Sequence, residues 1–281
     1  MSIDLHTHTT ASDGSMTPAG LVSRAFERGL EAVAVTDHDT MDGAAAAVEE
    51  GKRLGIEVIP GVEISVDFQP EMHLLGYFFN NGYNSIYKSL EELRAKREQR
   101  NPKIIKKLNE MGFDITLSEA ESLAPGGIVG RPHIARVMMD KGYVSGIGEA
   151  FEKYLASGRP AYFKKEKLTP EEGLSVIAEA RGVPVLAHPI YLDMDSVQLD
   201  KLLEQMARQG LKGIEAYYTY NTEEQTSELI RLAKKHNLLI TGGSDFHGSF
   251  KPDIEIGSGK GALNVPYSLL AALRQAGRER A

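Results

Sequence analysis

The 281-residue sequence contains no cysteine, and this absence limits the chemistry open to the protein. Without cysteine there can be no disulfides, no thiolate metal ligands and no thiol nucleophile. Any metal site must therefore be built from histidine and carboxylate side chains. Such ligands suit Mn, Zn, Fe or Mg better than a soft metal ion.

Long apolar runs and an excess of positive charge are also missing. No apolar run reaches membrane-spanning length, so we expect no membrane partner, and the apolar fraction of 42% suits a globular core. The net charge of −7 argues against binding of long nucleic acid by electrostatic attraction. Because the first predicted strand begins at the N-terminus, we expect no signal peptide and a cytoplasmic protein. The sequence leaves the oligomeric state open.

Strand and helix patterns alternate along most of the chain, which predicts an α/β fold with a parallel sheet. Residues 84–166 interrupt this alternation, because they contain only helical patterns. We therefore expect a barrel formed by residues 1–83 and 167–281, with residues 84–166 as a helical insertion. The seven predicted strands cover about residues 2–8, 31–36, 56–64, 72–78, 183–188, 212–217 and 238–243.

His6 and His8 are separated by one residue within the first predicted strand. Alternate residues of a strand point to the same face, so the two imidazoles should emerge together. The acidic turn that follows contains Asp13. Two imidazoles and a nearby carboxylate form half of a metal site, although an isolated His-x-His pair is more often exposed surface.

Other histidines and carboxylates stand where apolar runs end, and this placement strengthens the metal interpretation. His236 is the exception, because it lies in the polar end of a predicted helix and is typical of exposed surface. The carboxyl ends of barrel strands meet at one rim, so the remaining side chains should converge. They are His38, Glu63, His73, His188, Asp245 and His247.

Together these segments resemble the polymerase-and-histidinol-phosphatase (PHP) family. The resemblance extends to about residue 260 and is greatest toward nucleoside 3′,5′-bisphosphate phosphatases. It implies a distorted seven-stranded TIM-like barrel, (β/α)7, over which the insertion forms a lid. The matching segments are His6-Thr7-His8, Asp13-Gly14, Thr36-Asp37-His38-Asp39, Gly61-Val62-Glu63, His73, Ala187-His188-Pro189 and Gly243-Ser244-Asp245-Phe246-His247.

The resemblance also divides nine candidate ligands among metal sites. We expect about two to three divalent ions per chain, Mn²⁺ first, with Zn, Fe or Mg as alternatives. Such ions would neutralise phosphate charge and activate hydroxide for direct attack. The implied sets are His6, His8, Glu63 and Asp245; Glu63 with His73 and His188; and Asp13, His38 and His247.

The insertion carries a basic stretch, residues 88–107, in an otherwise acidic chain. It is either a solvated helix face or a lid that offers cations to a phosphorylated substrate. The segment Gly-Arg-Pro-His at residues 130–133 resembles the substrate-phosphate motif of the nearest subfamily, with an ordinary helix start as the alternative. The candidate substrate-binding residues are Arg97, Arg100, Asn101, Arg131, His133, Ser244 and Tyr217.

Candidate catalytic residues follow from the same comparison. Arg131 would stabilise charge on the phosphate, and His133 is a candidate acid for the leaving oxygen. Asp37 or Asp39, on either side of His38, could orient a ligand imidazole. Tyr217, Tyr218 or Tyr220 could stack on a base, or could equally be packing residues.

The preferred function is removal of the 3′-phosphate from a nucleoside 3′,5′-bisphosphate, so the partner is a small phosphorylated nucleotide. The enzymatic alternatives are a histidinol-phosphate phosphatase and an exonuclease that trims 5′-phosphorylated oligonucleotides. The non-enzymatic alternative is a metal-stabilised scaffold domain, which would be marked by lost ligands; here every ligand position of the resemblance is filled.

Overall fold

The computed structural model describes residues 2–79, 85–124, 129–163 and 167–278, without the side chains of residues 92–99. Across these ranges, no helix is both long enough and apolar enough to cross a bilayer. The strands are β1 (Ser2–Asp4), β2 (Ala32–Val35), β3 (Glu57–Val66), β4 (Met72–Tyr77), β5 (Val183–Leu186), β6 (Gly213–Tyr218), β7 (Leu239–Gly243) and β8 (Val265–Pro266). The helices are α1 (Pro18–Glu27), α2 (Ala44–Leu54), α3 (Ile86–Glu110), α4 (Leu117–Ser122), α5 (Arg131–Asp140), α6 (Ile147–Ala150), α7 (Pro170–Glu179), α8 (Ser196–Arg208), α9 (Glu223–Lys235) and α10 (Ser268–Arg278).

The strands form one sheet in the order β7-β6-β5-β4-β3-β2-β1-β8, which curves into a nearly closed barrel. Backbone hydrogen bonds from Leu5 N to Gly242 O (3.1 Å) and from His8 N to Phe246 O (2.9 Å) connect the first segment to the end of β7. The predicted α/β barrel is confirmed, but the sheet has an eighth strand. That strand has only two residues and pairs antiparallel with β1, so no strand pattern marks it in the sequence.

The expectation of a wholly parallel sheet is wrong at β4. This strand runs antiparallel to both β3 and β5. Only residues 67–71 connect β3 to β4, and a connection this short can make a hairpin but cannot cross over to a parallel strand. The reversal places the first residues of β4, including His73, at the rim where the parallel strands end.

The first strand is shorter than predicted, because it ends at Asp4. The Asp4 carboxylate accepts a hydrogen bond from the backbone N–H of His6 at 3.2 Å, and this side-chain bond takes the place of a ladder bond. His6 and His8 still lie together, with ring centroids 5.2 Å apart, so the prediction of a shared side for the two imidazoles is confirmed.

The helical insertion has a hydrophobic cluster of its own, separate from the clusters of the barrel. Ile104 and Leu108 of α3 pack there with Ile134 and Met138 of α5. The beginning of α3 instead packs against the barrel, through residues that include Ile86. One helix therefore belongs to both hydrophobic cores.

Candidate active site

Nine polar side chains meet at one rim of the barrel. Most are buried, and their rings lie close together: His8 and His247 have centroids 4.2 Å apart, and His6 and His188 are 5.6 Å apart. These are the nine side chains predicted as metal ligands, namely His6, His8, Asp13, His38, Glu63, His73, His188, Asp245 and His247.

Glu63 lies at the centre of this cluster. Its Oε1 is 2.9 Å from His73 Nδ1 and 2.8 Å from His188 Nε2. Its Oε2 faces a second set of imidazoles, so the two oxygens are turned toward different sets of histidines, as expected of a carboxylate that serves two ions. The nitrogens near Oε2 are His6 Nε2 at 3.3 Å, His8 Nε2 at 3.2 Å and His38 Nδ1 at 3.1 Å.

Asp13 and Asp245 supply the other carboxylates of the cluster. Asp13 lies 3.4 Å from His247 Nε2 and 3.8 Å from His38 Nε2. Asp245 Oδ1 lies 3.3 Å from His8 Nε2. Potential ligand atoms form three sets, and within each set they lie within 4.8 Å of one another. The first adds His8 to the expected set around Asp13, the second lacks the expected Asp245, and the third has His38 in place of His188. These sets are His8, Asp13, His38 and His247; His6, His8 and Glu63; and His38, Glu63 and His73.

Unusual backbone conformations fix two of these side chains. His188 has φ 24° and Asp245 has φ 58°, values that residues with a side chain rarely adopt. The His188 N–H donates to Glu215 Oε2 at 2.8 Å, and the Asp245 N–H donates to His6 O at 2.9 Å. A Cβ on Gly243, which precedes this segment, would lie 2.4 Å from the backbone nitrogen of His6, so only glycine permits this approach.

Two buried carboxylates that support the cluster were not predicted. Glu215 Oε1 accepts from His6 Nδ1 at 3.0 Å, which leaves His6 Nε2 to face the cluster. Asp4 accepts from Ser244 N (2.9 Å) and Oγ (2.6 Å), and so ties the start of the chain to the loop after β7. In the sequence, each of these two residues is marked only as a single carboxylate in a strand pattern that is otherwise apolar.

The cluster fits divalent cations. Among the residues that the structure describes, His6 Nε2, both ring nitrogens of His8 and Glu63 Oε2 are buried and have no hydrogen-bond partner. Burying such atoms without a partner is unfavourable, whereas bound cations would take up the lone pairs that face the cluster. Imidazole and carboxylate donors also match the metals expected from a chain without cysteine.

Opposing effects shift the pKa values of the cluster in the metal-free protein. Burial disfavours the charged form of His8, but the nearby carboxylates of Asp245 and Glu63 outweigh it and raise the pKa of His8 to about 9. The pKa of His73 also rises to about 9, because the charge of Glu63 outweighs burial. Burial dominates at His38 and lowers its pKa to about 3. Despite burial, the neighbouring imidazoles hold the pKa of Glu63 well below its usual range.

We expect the metal-free protein to be most stable near pH 6.5, the ordinary pKa of histidine. The raised pKa values of His8 and His73 stabilise the fold below pH 6.5, and this contribution disappears as the pH rises to about 9. The lowered pKa of His38 works in the opposite direction, because stability is lost as the pH falls from 6.5 toward 3. Thermal unfolding in chelator from about pH 5 to about pH 9 measures this dependence, and Mn²⁺ should restore stability at the alkaline end. A metal-free Tm that rises steadily to pH 9 would contradict it.

Several predicted substrate and catalytic residues have structural partners of their own. Ser244 is bonded to Asp4, as described. Asp37 accepts from Thr9 N (2.7 Å) and Ser12 Oγ (2.6 Å), so it braces the turn that carries Asp13. His133 Nδ1 accepts from Gly130 N at 3.0 Å and caps α5.

Tyr217 packs against the barrel core, and Tyr218 reaches the cluster in its place. Tyr218 Oη donates to Asp245 Oδ2 at 2.9 Å. The pairing of β6 with β7 shifts register between Glu215 and Tyr217. The extra residue reverses the alternation that would have placed Tyr217 on the same side as Glu215.

A cavity of about 410 Å³ opens over the cluster and contains four cationic side chains. Arg100 donates to Asn101 Oδ1 at 3.1 Å, and Asn101 Nδ2 donates to Val129 O at 2.8 Å, so Asn101 fixes Arg100 inside the insertion. Arg97 lies outside the described side chains. The cations of the cavity wall are Arg100, Arg131, Lys167 and Lys251.

Glu71 lies between the cationic side chains of the cavity wall and the ligand cluster. Its Oε1 lies 3.2 Å from His73 Nε2. The hydrogen bond to His73, aided by the charges of Lys167 and Arg131, lowers the pKa of Glu71 to about 2. The positive wall of the cavity therefore begins one side chain away from the candidate metal ligands.

Known proteins resemble this chain over nearly its whole length. A 5′-3′ exoribonuclease, Rnm, of Escherichia coli is 36% identical over 90% of this chain and 87% of its own length. A 3′,5′-nucleoside bisphosphate phosphatase of Chromobacterium violaceum is 30% identical over 91% of this chain and 90% of its own. The crystal structure of a Bifidobacterium adolescentis protein, described as a metal-dependent phosphoesterase, superposes with a TM-score of 0.86 and 29% identity, covering 98% of this chain and 96% of that one. The PHP domain matches residues 4–168, and with these relatives it shows that the chain belongs to the PHP family of metal-dependent phosphoesterases.

Proposed function

We propose that the protein removes the 3′-phosphate from nucleoside 3′,5′-bisphosphates, releasing a 5′-nucleotide and inorganic phosphate. One observation carries this proposal: a single cavity has the candidate metal ligands at its floor and Arg100, Arg131 and Lys167 in its wall. A substrate with two phosphates can place one at each position. The relative from Chromobacterium violaceum, named as a phosphatase of this kind, supports the same choice.

The candidate ligands would hold divalent ions, with Mn²⁺ as our first choice and two to three ions as the expected number, about one for each ligand set. Bound ions would supply positive charge for the phosphate and lower the pKa of water. Glu63 would be shared between two ions, since its oxygens face different imidazoles. Glu215 would keep the His6 Nε2 lone pair directed at the cluster, because His6 Nδ1 donates to it.

Arg100 and Lys167 would bind the second phosphate, whereas Arg131 would contact the phosphate that is attacked at the cluster. A second cavity of about 250 Å³ shares Arg100, Arg131 and Lys167 with the first, so these residues lie between the two spaces. Arg131 is held in place because its Nη1 donates to Leu155 O at 2.9 Å. An insertion that supplies Arg100 from α3 and Arg131 from α5 would act as the proposed lid.

Steady-state kinetics of the Mn²⁺-loaded protein test the proposal. Adenosine 3′,5′-bisphosphate should be hydrolysed with a kcat/KM about 10- to 100-fold above that of adenosine 3′-monophosphate, because charge-assisted hydrogen bonds to a second phosphate contribute about 1.5–3 kcal/mol. Equal values for the two nucleotides would contradict the proposal. Faster turnover of histidinol phosphate would favour that alternative, and no turnover of any ester would favour a scaffold.

Arg100→Gln should remove most of this preference. We expect kcat/KM to fall about tenfold for the bisphosphate and to change little for the 3′-monophosphate, because Arg100 would contact only the second phosphate. Lys103→Gln is the matched control, since Lys103 is exposed on the same helix. Equal losses on both nucleotides would show that Arg100 does not recognise the second phosphate.

A further inference from the structure

Lys251 is a partly buried cation at the rim of the barrel that the proposed function does not use. Its Nζ donates to Asp245 Oδ2 at 2.7 Å, and its side chain is 33% exposed. Lys251 also lines the cavity over the cluster. An ammonium group has three N–H donors, and Asp245 is its only hydrogen-bond partner among the residues that the structure describes. Two of its donors are therefore available to a ligand that enters the cavity.

The backbone that carries Lys251 is tied to the loop after β1. A short 3₁₀ helix, Gly248–Phe250, comes directly before Lys251. Ser15 N donates to His247 O at 3.0 Å, and Ser15 Oγ accepts from Ser249 N at 2.7 Å. These two bonds hold both ends of the connection between the cluster and Lys251. The ammonium group is therefore supplied from a fixed place beside the cluster.

The two oxygens of Asp245 have different surroundings. Oδ2 accepts from Lys251 Nζ and, at 2.9 Å, from Tyr218 Oη. Oδ1 faces the imidazoles, with His8 Nε2 at 3.3 Å and His247 Nδ1 at 3.4 Å. Oδ1 is therefore the oxygen that is left for a metal ion. A phosphate that binds at the cluster comes close to Lys251, whose flexible stem lets its ammonium group contact a phosphate oxygen.

Arg131 approaches the cluster from another of its residues. Its charge acts on Glu71, and Glu71 Oε1 lies 3.2 Å from His73 Nε2. Lys251 instead contacts Asp245. Positive side chains therefore neighbour the cluster at two separate candidate ligands within one cavity. A phosphate over the cluster can receive hydrogen bonds from both.

We propose that Lys251 is a catalytic residue that donates to a non-bridging oxygen of the phosphate being hydrolysed. This inference deepens the proposed function and rests on it, because it takes the 3′-phosphate at the cluster as the reacting group. Negative charge spreads over the non-bridging oxygens in the transition state, and an ammonium group fixed beside them stabilises it. Lys251 would keep one donor on Asp245 and offer another to the phosphate. It would act together with Arg131, and neither would contact the second phosphate.

Steady-state kinetics and phosphate binding by the Mn²⁺-loaded protein test the inference. Lys251→Gln should lower kcat/KM about 10- to 100-fold for adenosine 3′,5′-bisphosphate and equally for adenosine 3′-monophosphate, because both present the same reacting phosphate. It should also weaken the binding of inorganic phosphate about tenfold in titration calorimetry, with unchanged metal content. Lys251→Arg should recover part of both losses, because it keeps the charge. Lys260→Gln is the matched control, since Lys260 is exposed in the same segment after β7 and pairs with Asp253.

Tyr218→Phe distinguishes contact with the phosphate from an effect that passes through Asp245. Tyr218 donates to the same oxygen as Lys251 but does not line the cavity. Its replacement should lower the affinity for Mn²⁺ and, at saturating Mn²⁺, leave phosphate binding within about twofold of wild type. Equal weakening of phosphate binding in Tyr218→Phe and Lys251→Gln would mean that Lys251 acts only through Asp245, and would overturn the inference.

The outcomes also separate this inference from the proposed function. Equal turnover of the two nucleotides by the wild-type protein would contradict the bisphosphate preference, while equal losses on both in Lys251→Gln would still support the role of Lys251. A loss confined to the bisphosphate would place Lys251 at the second phosphate and overturn the inference. Unchanged phosphate binding and turnover in Lys251→Gln would overturn it as well and leave the proposed function intact.

Discussion

Replacing Glu63 by glutamine should lower turnover by about a thousandfold and reduce the bound metal to about one ion per chain or fewer. Glutamine keeps the shape of the side chain but not its charge, and it replaces one oxygen by an N–H donor. The oxygens of Glu63 face five imidazoles within 3.3 Å, so the variant would leave several of them without a carboxylate. A thousandfold loss of turnover corresponds to about 4 kcal/mol of activation free energy.

Elemental analysis and kinetics with adenosine 3′,5′-bisphosphate measure both effects of Glu63→Gln. The control is Glu57→Gln on the same strand, because Glu57 bonds to Tyr267 and Arg274 away from the cluster. His247→Asn should be milder, since His247 approaches Asp13 but not Glu63. Full metal content and unchanged turnover in Glu63→Gln would rule out a shared carboxylate at the centre of the site.

Arg131→Lys should lower kcat for the bisphosphate about a hundredfold, or roughly 3 kcal/mol of transition-state stabilisation. The guanidinium lies 5.5 Å from the Phe151 ring centroid and 5.6 Å from that of Tyr162, and donates to Leu155 O. These contacts fix a planar group with several donors, whereas lysine presents a single mobile ammonium.

Metal content should be unchanged in Arg131→Lys, because Arg131 is not among the candidate ligands. Thermal unfolding separates a catalytic loss from a packing loss in the insertion. Arg136→Lys is the matched control, because Arg136 lies on the same helix and pairs with exposed Asp140. If Arg131→Lys keeps its turnover, phosphate recognition must depend on other cations of the wall.

The sequence predicted the fold well wherever a single residue pattern determines the local structure. Thr17 and Thr169 cap α1 and α7 with their side chains, and each is followed by proline, as the sequence indicated for the first of them. The same holds for the ligand cluster, because residues at strand ends must converge in a barrel. The reversed β4 was not predicted, although the few residues between the predicted strands 56–64 and 72–78 are too short for a crossover to a parallel strand.

Supporting residues of the site were harder to predict. Glu215 looks like an isolated polar residue in an apolar strand, and its partner His6 is 209 positions away in the sequence. Only the folded chain shows that the two meet. Among the three candidate tyrosines, the sequence did not single out Tyr218, because one inserted residue in the sheet pairing changes which side chain points to the cluster.

The direction in which Arg100 points depends on the number of residues of α3 that separate it from Ile86. It has 25 residues and is about 37 Å long, with Ile86 packed against the barrel and Arg100 at the cavity. Each added or deleted residue between these two points would turn Arg100 by about 100° around the helix axis and shift it by about 1.5 Å. An insertion or deletion between these two points therefore keeps Arg100 at the cavity only if its length is close to a whole number of helical turns. Changes of length in the loops that precede or follow the helix carry no such restriction.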